Sequence, residues 1–481
     1  MSLKQKTISG LQWSFIDSFA SQGVQFIIGI FLARLLSPKD FGLIGLLTIF
    51  IAVSQSFIDS GFSTALIRKR NCSQEDYSTV FYFNTCVSII CYLVLFIFSG
   101  SISTFFKEPQ LKLIIQVIGL GLVLNSFAII PQTIYTKELN FKLQMWVSII
   151  ASIGSGIVSI TMAYRGFGVW SLVALTLSRY GLITIFLWIW SKWNPTLSFS
   201  RASFRELFSF GSKLLISGLL DTIYRNIYYL VIGKYFSANE LGYYTRADQF
   251  QSIPSSNLQG IISRVTYPVL SSIQDDTIQL RTAFKTLVSS TMLITFVLML
   301  GMAAVAKPMI ITLIGIKWEP CVIYLQMLCF VGMFYPLHAL NLNMLKVIGR
   351  SDLFLKLEII KKILAIPVII VGVLFGIKVM IIGMLVNTLI AYYLNSYWSG
   401  RFIGYSTLEQ IKDILPSFLL AAFMGIMVLG IGYFLSISNP VKLLIQIIVG
   451  ASFSIIISEL LQMNEYLYIK SIVIEKVFRK K

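Results

Sequence analysis

Apolar stretches of about 18 to 25 residues recur along the whole chain, separated by short segments that carry Gly, Pro and charge. Each is long enough to cross a hydrocarbon core of about 30 Å as a helix. Hydropathy gives fourteen spans, near residues 10–33, 41–66, 79–101, 112–134, 144–164, 168–190, 209–232, 248–272, 286–306, 320–341, 356–376, 379–399, 416–435 and 441–461. Strands of a membrane barrel would alternate over about ten residues, whereas these runs are continuous, so the pattern predicts an all-α polytopic membrane protein. The eighth span is the most polar, with Gln249, Gln251, Asn257, Gln259 and Arg264.

A faint internal repeat organises the spans. Arg34-Leu35-Leu36-Ser37-Pro38-Lys39-Asp40-Phe41-Gly42 aligns without a gap on Lys234-Tyr235-Phe236-Ser237-Ala238-Asn239-Glu240-Leu241-Gly242, one copy after the first span and one after the seventh. Six spans per copy give both copies the same orientation, a parallel repeat of the kind that places a substrate path between two halves. The expected organisation is a six-helix lobe over 1–190, a cytoplasmic interfacial linker over 191–208, a second six-helix lobe over 209–399, and two extra helices with a basic tail over 400–481. In the linker, Ser203-Phe204-Arg205-Glu206 has capping-box form and predicts a short interfacial helix. Trp188, Trp190 and Trp193 read as interfacial anchors.

Composition sharpens this reading. The chain is 56% hydrophobic and 12% charged, with a mean hydropathy of +0.80, which excludes a water-soluble protein. Lys and Arg number 39 against 21 Asp and Glu, but they are scattered among loops with no aromatic-interleaved patch, so the excess reads as topology and not as a nucleic-acid surface. Counting span ends with the nearest loop, the even-numbered loops and both termini hold about 25 of them, the odd-numbered loops about 11, and three stay inside spans. Both termini are therefore expected in the cytoplasm. Lys4 and Lys6 lead into a full-length span without a small-residue cleavage site, the pattern of a retained first helix. The five cysteines show no CxxC or metal spacing and read as buried apolar residues, and the single His338 lacks ligand partners, so no cofactor or metal site is expected.

The informative residues are polar ones inside spans, because a charge at the bilayer centre costs about 2.5–3.5 kcal/mol on insertion scales and needs a partner or water. In the seventh span Lys213, Ser217, Asp221 and Arg225 follow at intervals of four, a slowly rotating stripe. The first span carries Ser14, Asp17, Ser18, Ser21, Gln22 and Gln25 on one face, and Gln55 and Asp59 form an i, i+4 pair in the second. Arg225, Arg264 and Lys213, with Asp221 and Gln25, form the candidate substrate-binding set, in which the cations attract an anionic head group within a water-filled cavity. The alternative for Asp221 and Arg225 is a salt bridge that neutralises both. Asp17 and Asp59 are ion-coupling candidates or hydrogen-bonded structural carboxyls, and Arg179, in the sixth span, is read as a packing charge satisfied by backbone carbonyls.

These residues resemble the polysaccharide-export flippases of the multidrug, oligosaccharidyl-lipid and polysaccharide exporter superfamily. The likeness is carried by Gly10-Leu11-Gln12-Trp13, by Ala33 to Gly42, by Asp59-Ser60-Gly61-Phe62 leading to Ala65-Leu66-Ile67, and by Phe204-Arg205-Glu206-Leu207 followed by Phe210-Gly211-Ser212. The resemblance implies a fourteen-helix V-shaped bundle of two six-helix lobes plus two C-terminal helices. It also implies a non-enzymatic exporter that moves undecaprenyl-diphosphate-linked sugar repeat units across a bacterial inner membrane. Its partners would then be the polyprenyl diphosphate-linked oligosaccharide, membrane lipids, and the polymerase and glycosyltransferases of polysaccharide assembly. In relatives, basic cavity residues hold the diphosphate, a role that would fall here to Arg225 and Arg264. Two other classes stay open: an ion-coupled multidrug or metabolite exporter of the same superfamily, and a membrane enzyme of polysaccharide assembly. Against the enzyme stand loops of no more than about twenty residues, no DxD, and a His without a partner.

Overall fold

The structure, a computed structural model, describes residues 3–478, without the side chains of 3–12, 14–16, 18–19, 261–265, 473 and 475–478. The chain divides into two compact units, Met1–Gly242 and Tyr243–Lys481. The first holds α1 (Leu3–Leu35), α2 (Pro38–Asp59), α3 (Phe62–Arg68), α4 (Gln74–Phe106), α5 (Leu111–Ile118), α6 (Leu120–Lys137), α7 (Phe141–Tyr164), α8 (Trp170–Trp190), α9 (Arg201–Tyr235) and the first residues of α10 (Ala238–Ser271). The second holds the remainder of α10, then α11 (Thr277–Ile314), α12 (Cys321–Gly332), α13 (Tyr335–Val347), α14 (Ser351–Phe375), α15 (Ile377–Ile403), α16 (Thr407–Phe434), α17 (Asn439–Leu460) and α18 (Asn464–Phe478).

Among the described residues, ten helical segments are long and apolar enough to cross a membrane, three of them being the near-continuous pairs α2–α3, α5–α6 and α12–α13. The other four hydropathic stretches fall on α1, whose described apolar part, Ala20–Leu35, is shorter than a full span, and on α9, α10 and α14, which are helical but too polar for that test. A helix that faces lipid all round must be apolar all round, so the polarity of α9, α10 and α14 marks helices with a face turned to protein or water.

Within the first unit α2 and α9 run antiparallel and pack along their length, in the order Gly61 against Gly211, Ser56 against Thr222 (3.2 Å between hydroxyls), and Leu46 against Gly233. Gly211, Thr222 and Gly233 recur every eleven residues, three helical turns, so they keep one line of α9 on α2. Small residues allow this approach in a membrane, where packing rather than the hydrophobic effect joins helices. A Cβ on Gly211 would lie 2.6 Å from the Ser60 carbonyl oxygen, and one on Gly233 would lie 1.9 Å from Leu46 Cδ2. Gly61, at φ 73, also makes the left-handed turn that separates α2 from α3.

The two segments aligned by the repeat take the same helix–break–helix form, with Ser37 and Ser237 each accepting from the N–H three residues on (Asp40 N at 3.3 Å and Glu240 N at 3.2 Å). They also touch reciprocally: a Cβ on Gly42 would lie 1.7 Å from the Ala238 carbonyl oxygen, and one on Gly242 would lie 2.0 Å from that of Pro38.

The linker differs from its sequence reading. Residues 191–200 are extended, and Ser200 rather than Ser203 is the N-cap of α9, accepting from Ser203 N at 3.2 Å. From there the helix is unbroken for 35 residues, with no separate interfacial helix. The extended stretch is pinned to the start of α4 by Thr196 N donating to Ser78 Oγ (3.0 Å) and Ser200 N donating to Thr79 Oγ1 (2.9 Å). Trp188 and Trp193 pack with Phe204 and Phe210 on Phe62, Phe81 and Leu207, so these two rings are part of a protein core. Lys69 links the same region through Asp76 and Glu206, each at 3.0 Å. Burial works to lower its ammonium, and the two carboxylates outweigh that and hold it above the ordinary lysine range. The cysteines are only partly as expected: Cys321 and Cys329 are buried, whereas Cys86 is exposed.

Candidate functional site

The sequence-selected residues of the first unit separate into three settings. The first is a half-buried cluster between α1, α7 and α8. Arg179 Nη1 on α8 donates to Gln25 Oε1 on α1 at 2.8 Å, so this arginine is satisfied by a side-chain amide and not by the backbone carbonyls expected for it. Asp17, two turns earlier on α1, has Ser148 of α7 as a hydrogen-bonding neighbour and feels the Arg179 charge. Ser21 Oγ donates to the Asp17 carbonyl at 2.6 Å, which turns that hydroxyl inward along the helix. Asp17 Oδ1 and Arg179 Nε are both buried, and neither has a partner among the described residues. An acid and a base with unused hydrogen-bonding capacity in one apolar bundle call for water or an ion.

The second setting is the α2–α3 junction. Asp59 accepts from Ser63 N at 3.3 Å and from Ser63 Oγ, so it serves the free N–H groups at the start of α3. Its sequence partner Gln55 points elsewhere and accepts from Asn125 Nδ2 of α6 at 2.9 Å.

The third is the open side of α9. Lys213, Asp221 and Arg225 are exposed, while Gly211, Thr222 and Gly233 hold a separate line of the helix against α2. Arg264 belongs to α10, but its side chain lies outside the described residues, as do those of Ser14 and Ser18.

The second unit carries a polar centre that sequence reasoning missed. Asn341, Ser399 and Gln410 are fully buried at the meeting of α13, α15 and α16. Ser399 Oγ donates to Asn341 Oδ1 (2.5 Å), Asn341 Nδ2 to Gln410 Oε1 (3.3 Å) and Gln410 Nε2 to the Tyr405 carbonyl (3.4 Å). His338 Nδ1 meets Asn395 Nδ2 at 3.2 Å in the same region. An isolated Asn or Gln inside an apolar run was the available signal, but without the fold it names no partner.

Comparison with known proteins adds the following. A family profile described as "Polysaccharide biosynthesis protein" matches residues 31–323. The chain is 27% identical over 378 residues to the lipopolysaccharide biosynthesis protein WzxC of Escherichia coli (strain K12), covering 77% of this chain and 76% of that protein. It is 25% identical over 464 residues to the teichuronic acid biosynthesis protein TuaB of Bacillus subtilis (strain 168), covering 94% of each. Among solved structures, the lipid II flippase MurJ in an inward closed conformation superposes with a TM-score of 0.75 at 16% identity, over 94% of this chain and 99% of that one. An inward-facing multidrug resistance MATE family transporter of the MOP superfamily gives 0.63 at 16% identity, over 80% and 94%. These likenesses establish the fold, that of helical multi-pass membrane transporters.

Proposed function

Because this chain belongs to the family of polysaccharide biosynthesis proteins, whose profile spans residues 31–323, we propose that it is a flippase for undecaprenyl-diphosphate-linked oligosaccharide repeat units. It carries them from the cytoplasmic to the outer leaflet of a bacterial inner membrane, by alternating access and without covalent chemistry. Fourteen spans cross the membrane with both termini cytoplasmic. Two six-helix lobes are related by the repeat at Arg34–Gly42 and Lys234–Gly242, and two further helices follow. The reciprocal glycine contacts of these segments support a closed outer end that must part to release cargo.

The observation that carries the substrate assignment is the open face of α9, where Lys213, Asp221 and Arg225 stay exposed on a helix too polar to face lipid all round. Arg225 supplies a planar fork for the diphosphate, assisted by Lys213 and by Arg264 from α10, and Asp221 balances Arg225 between cycles. Gln25 acts from α1, where it is already engaged by Arg179. Asp17, with a buried oxygen to spare, is the stronger ion-coupling candidate, and Asp59 is the weaker because α3 occupies it.

Deletion of the gene in a strain without a second flippase tests the reading. Lipid-linked repeat units should accumulate on the cytoplasmic face and surface glycan should disappear. Normal surface glycan with no accumulation would refute it.

A further inference from the structure

A cavity of the first unit has no residue of α9 in its lining. It measures about 280 Å³ and is lined by residues including Asp40 of α2, Gln110 and Leu113 at the start of α5, and Phe167, Gly168 and Trp170 at the start of α8. These come from the first, third and fifth inter-span loops, which the charge distribution assigns to the outer surface. The volume lies just below the usual range for ligand pockets, about 300–1,000 Å³, so it suits one small ring and not a whole repeat unit or a lipid tail.

The lining has mixed chemistry. Asp40 Oδ2 is committed to the α2 cap, accepting from Ser37 N at 2.8 Å and Ser37 Oγ at 2.7 Å. Its Oδ1 faces Gly168, where a Cβ would come to 3.6 Å, and so presents a fixed acceptor at the cavity wall. Gln110 is exposed and can donate and accept through one planar amide. Phe167, 51% exposed, and Trp170 add aromatic surface. Gly168 has φ +55, a conformation that lets backbone come close to a ligand. The neighbouring cation Lys39 is tied to Glu108 at 3.0 Å, which leaves the Asp40 carboxylate as the dominant charge on the wall.

A pyranose ring matches this set. Its C–H face lies on aromatic carbon, and its adjacent hydroxyls donate to a carboxylate and exchange hydrogen bonds with an amide. A sugar acid would meet the Asp40 charge at short range and be repelled. We propose that this outer cleft binds a neutral pyranose of the exported glycan as it emerges. The assignment of the sugar to cargo rests on the flippase reading, whereas sugar binding itself does not.

The test uses the full-length protein in nanodiscs and saturation-transfer NMR with methyl glucopyranoside, methyl galactopyranoside, N-acetylglucosamine and methyl glucuronide. At least one neutral sugar should receive saturation and the glucuronide should not. The signal should fall about fivefold in Gln110→Ala and in Asp40→Asn, the loss expected for one hydrogen bond. Asp40→Asn keeps an oxygen for the Ser37 cap, and should it still fail to fold, the exposed Gln110 decides alone. No saturation of any neutral sugar, saturation of the glucuronide equal to theirs, or variants that bind like the parent would overturn the site. In cells, Gln110→Ala should slow the appearance of repeat units at the outer leaflet, and unaltered export with sugar binding lost would overturn the cargo assignment. A deletion strain with normal glycan would refute the flippase reading, and the saturation-transfer measurement on purified protein would still decide the cleft.

Discussion

Asp17 with Arg179, and Asp221 with Arg225, are the same two residue types in two surroundings. The first two side chains lie between α1, α7 and α8, where Arg179 is bonded to Gln25 and acts on Asp17 from within the bundle. The second two lie one turn apart on the exposed side of α9. A charge held inside a bundle is tied to the packing around it, so its loss is expected to be a loss of structure. A charge on an exposed helix surface contributes little to the fold, so its loss is expected to leave stability largely intact. The difference separates two jobs that one list of intramembrane charges would merge.

The largest effect on stability is expected at the half-buried cluster of Asp17, Gln25 and Arg179. Arg179→Met leaves Gln25 Oε1 without its donor and Asp17 without a neighbouring positive charge, and a polar group left unsatisfied inside a bundle costs about 1–3 kcal/mol. Thermal unfolding in detergent should fall accordingly, and Asp17→Asn added to Arg179→Met should recover much of the loss. If the single variant unfolds like the parent, the cluster is not structural and the comparison fails on that side.

Arg225 comes next, and here stability should hold while export fails. Removing a charge-assisted hydrogen bond of about 1.5–3 kcal/mol should slow export about ten- to a hundredfold. Arg225→Lys should be only partly active, because a point charge replaces a bidentate fork. The double variant Asp221→Asn with Arg225→Gln tells binding from neutralisation, since it leaves no unpaired charge. It should fold and stay inactive, and a well-expressed double variant with full export would eliminate the head-group role.

How much of this was legible in the sequence follows from the range of each signal. The ten apolar segments were legible because each lies within one apolar run, and the segments of α1, α9 and α10 stood out because their polar residues interrupt such runs. The stripe on α9 was legible for the same reason, being written at i, i+4 within one helix. The Arg179–Gln25 bond joins residues 154 apart, and nothing in either segment names the other. Ser203 looked like a cap because Glu206 follows three residues later, yet Ser200 took that place once the stretch before it was pinned to Ser78 and Thr79. Gly42 and Gly242 were visible as repeat positions, but their close approach to Ala238 and Pro38 required the fold.

A smaller effect tests what aims the open stripe. Gly211→Ala changes no charge, but its Cβ would lie 2.6 Å from the Ser60 carbonyl oxygen, and overpacking of this kind costs about 1–3 kcal/mol. Relief by shifting α9 on α2 would turn Lys213, Asp221 and Arg225 away from their positions. Export should therefore drop with the protein still folded, as judged by gel filtration and circular dichroism. Unchanged export would mean that the α2–α9 register does not aim the stripe.

The smallest effect is expected at Asp59, which the sequence ranked with Asp17 as an ion-coupling candidate. Its carboxylate accepts from Ser63 N at 3.3 Å and from Ser63 Oγ, two bonds made within the turn that starts α3. Removing a helix-capping acceptor costs typically about 1 kcal/mol, so Asp59→Ala should lower the unfolding temperature slightly. Asp59→Asn retains an acceptor oxygen and should cost less. A carboxyl that only caps needs no proton to come and go, so Asp59→Asn should export at close to the parental rate across the pH range over which the parent works. Asp17→Asn removes the carboxyl of its cluster and should flatten the dependence of export on the proton or sodium gradient. The contrast between two conservative Asp→Asn changes is therefore the measurement: transport assayed in vesicles with an imposed gradient, one variant responding and the other not. If Asp59→Asn abolishes gradient-driven export while the protein remains folded, the turn is more than a cap, and the coupling carboxyl lies at the α2–α3 junction instead of beside Arg179.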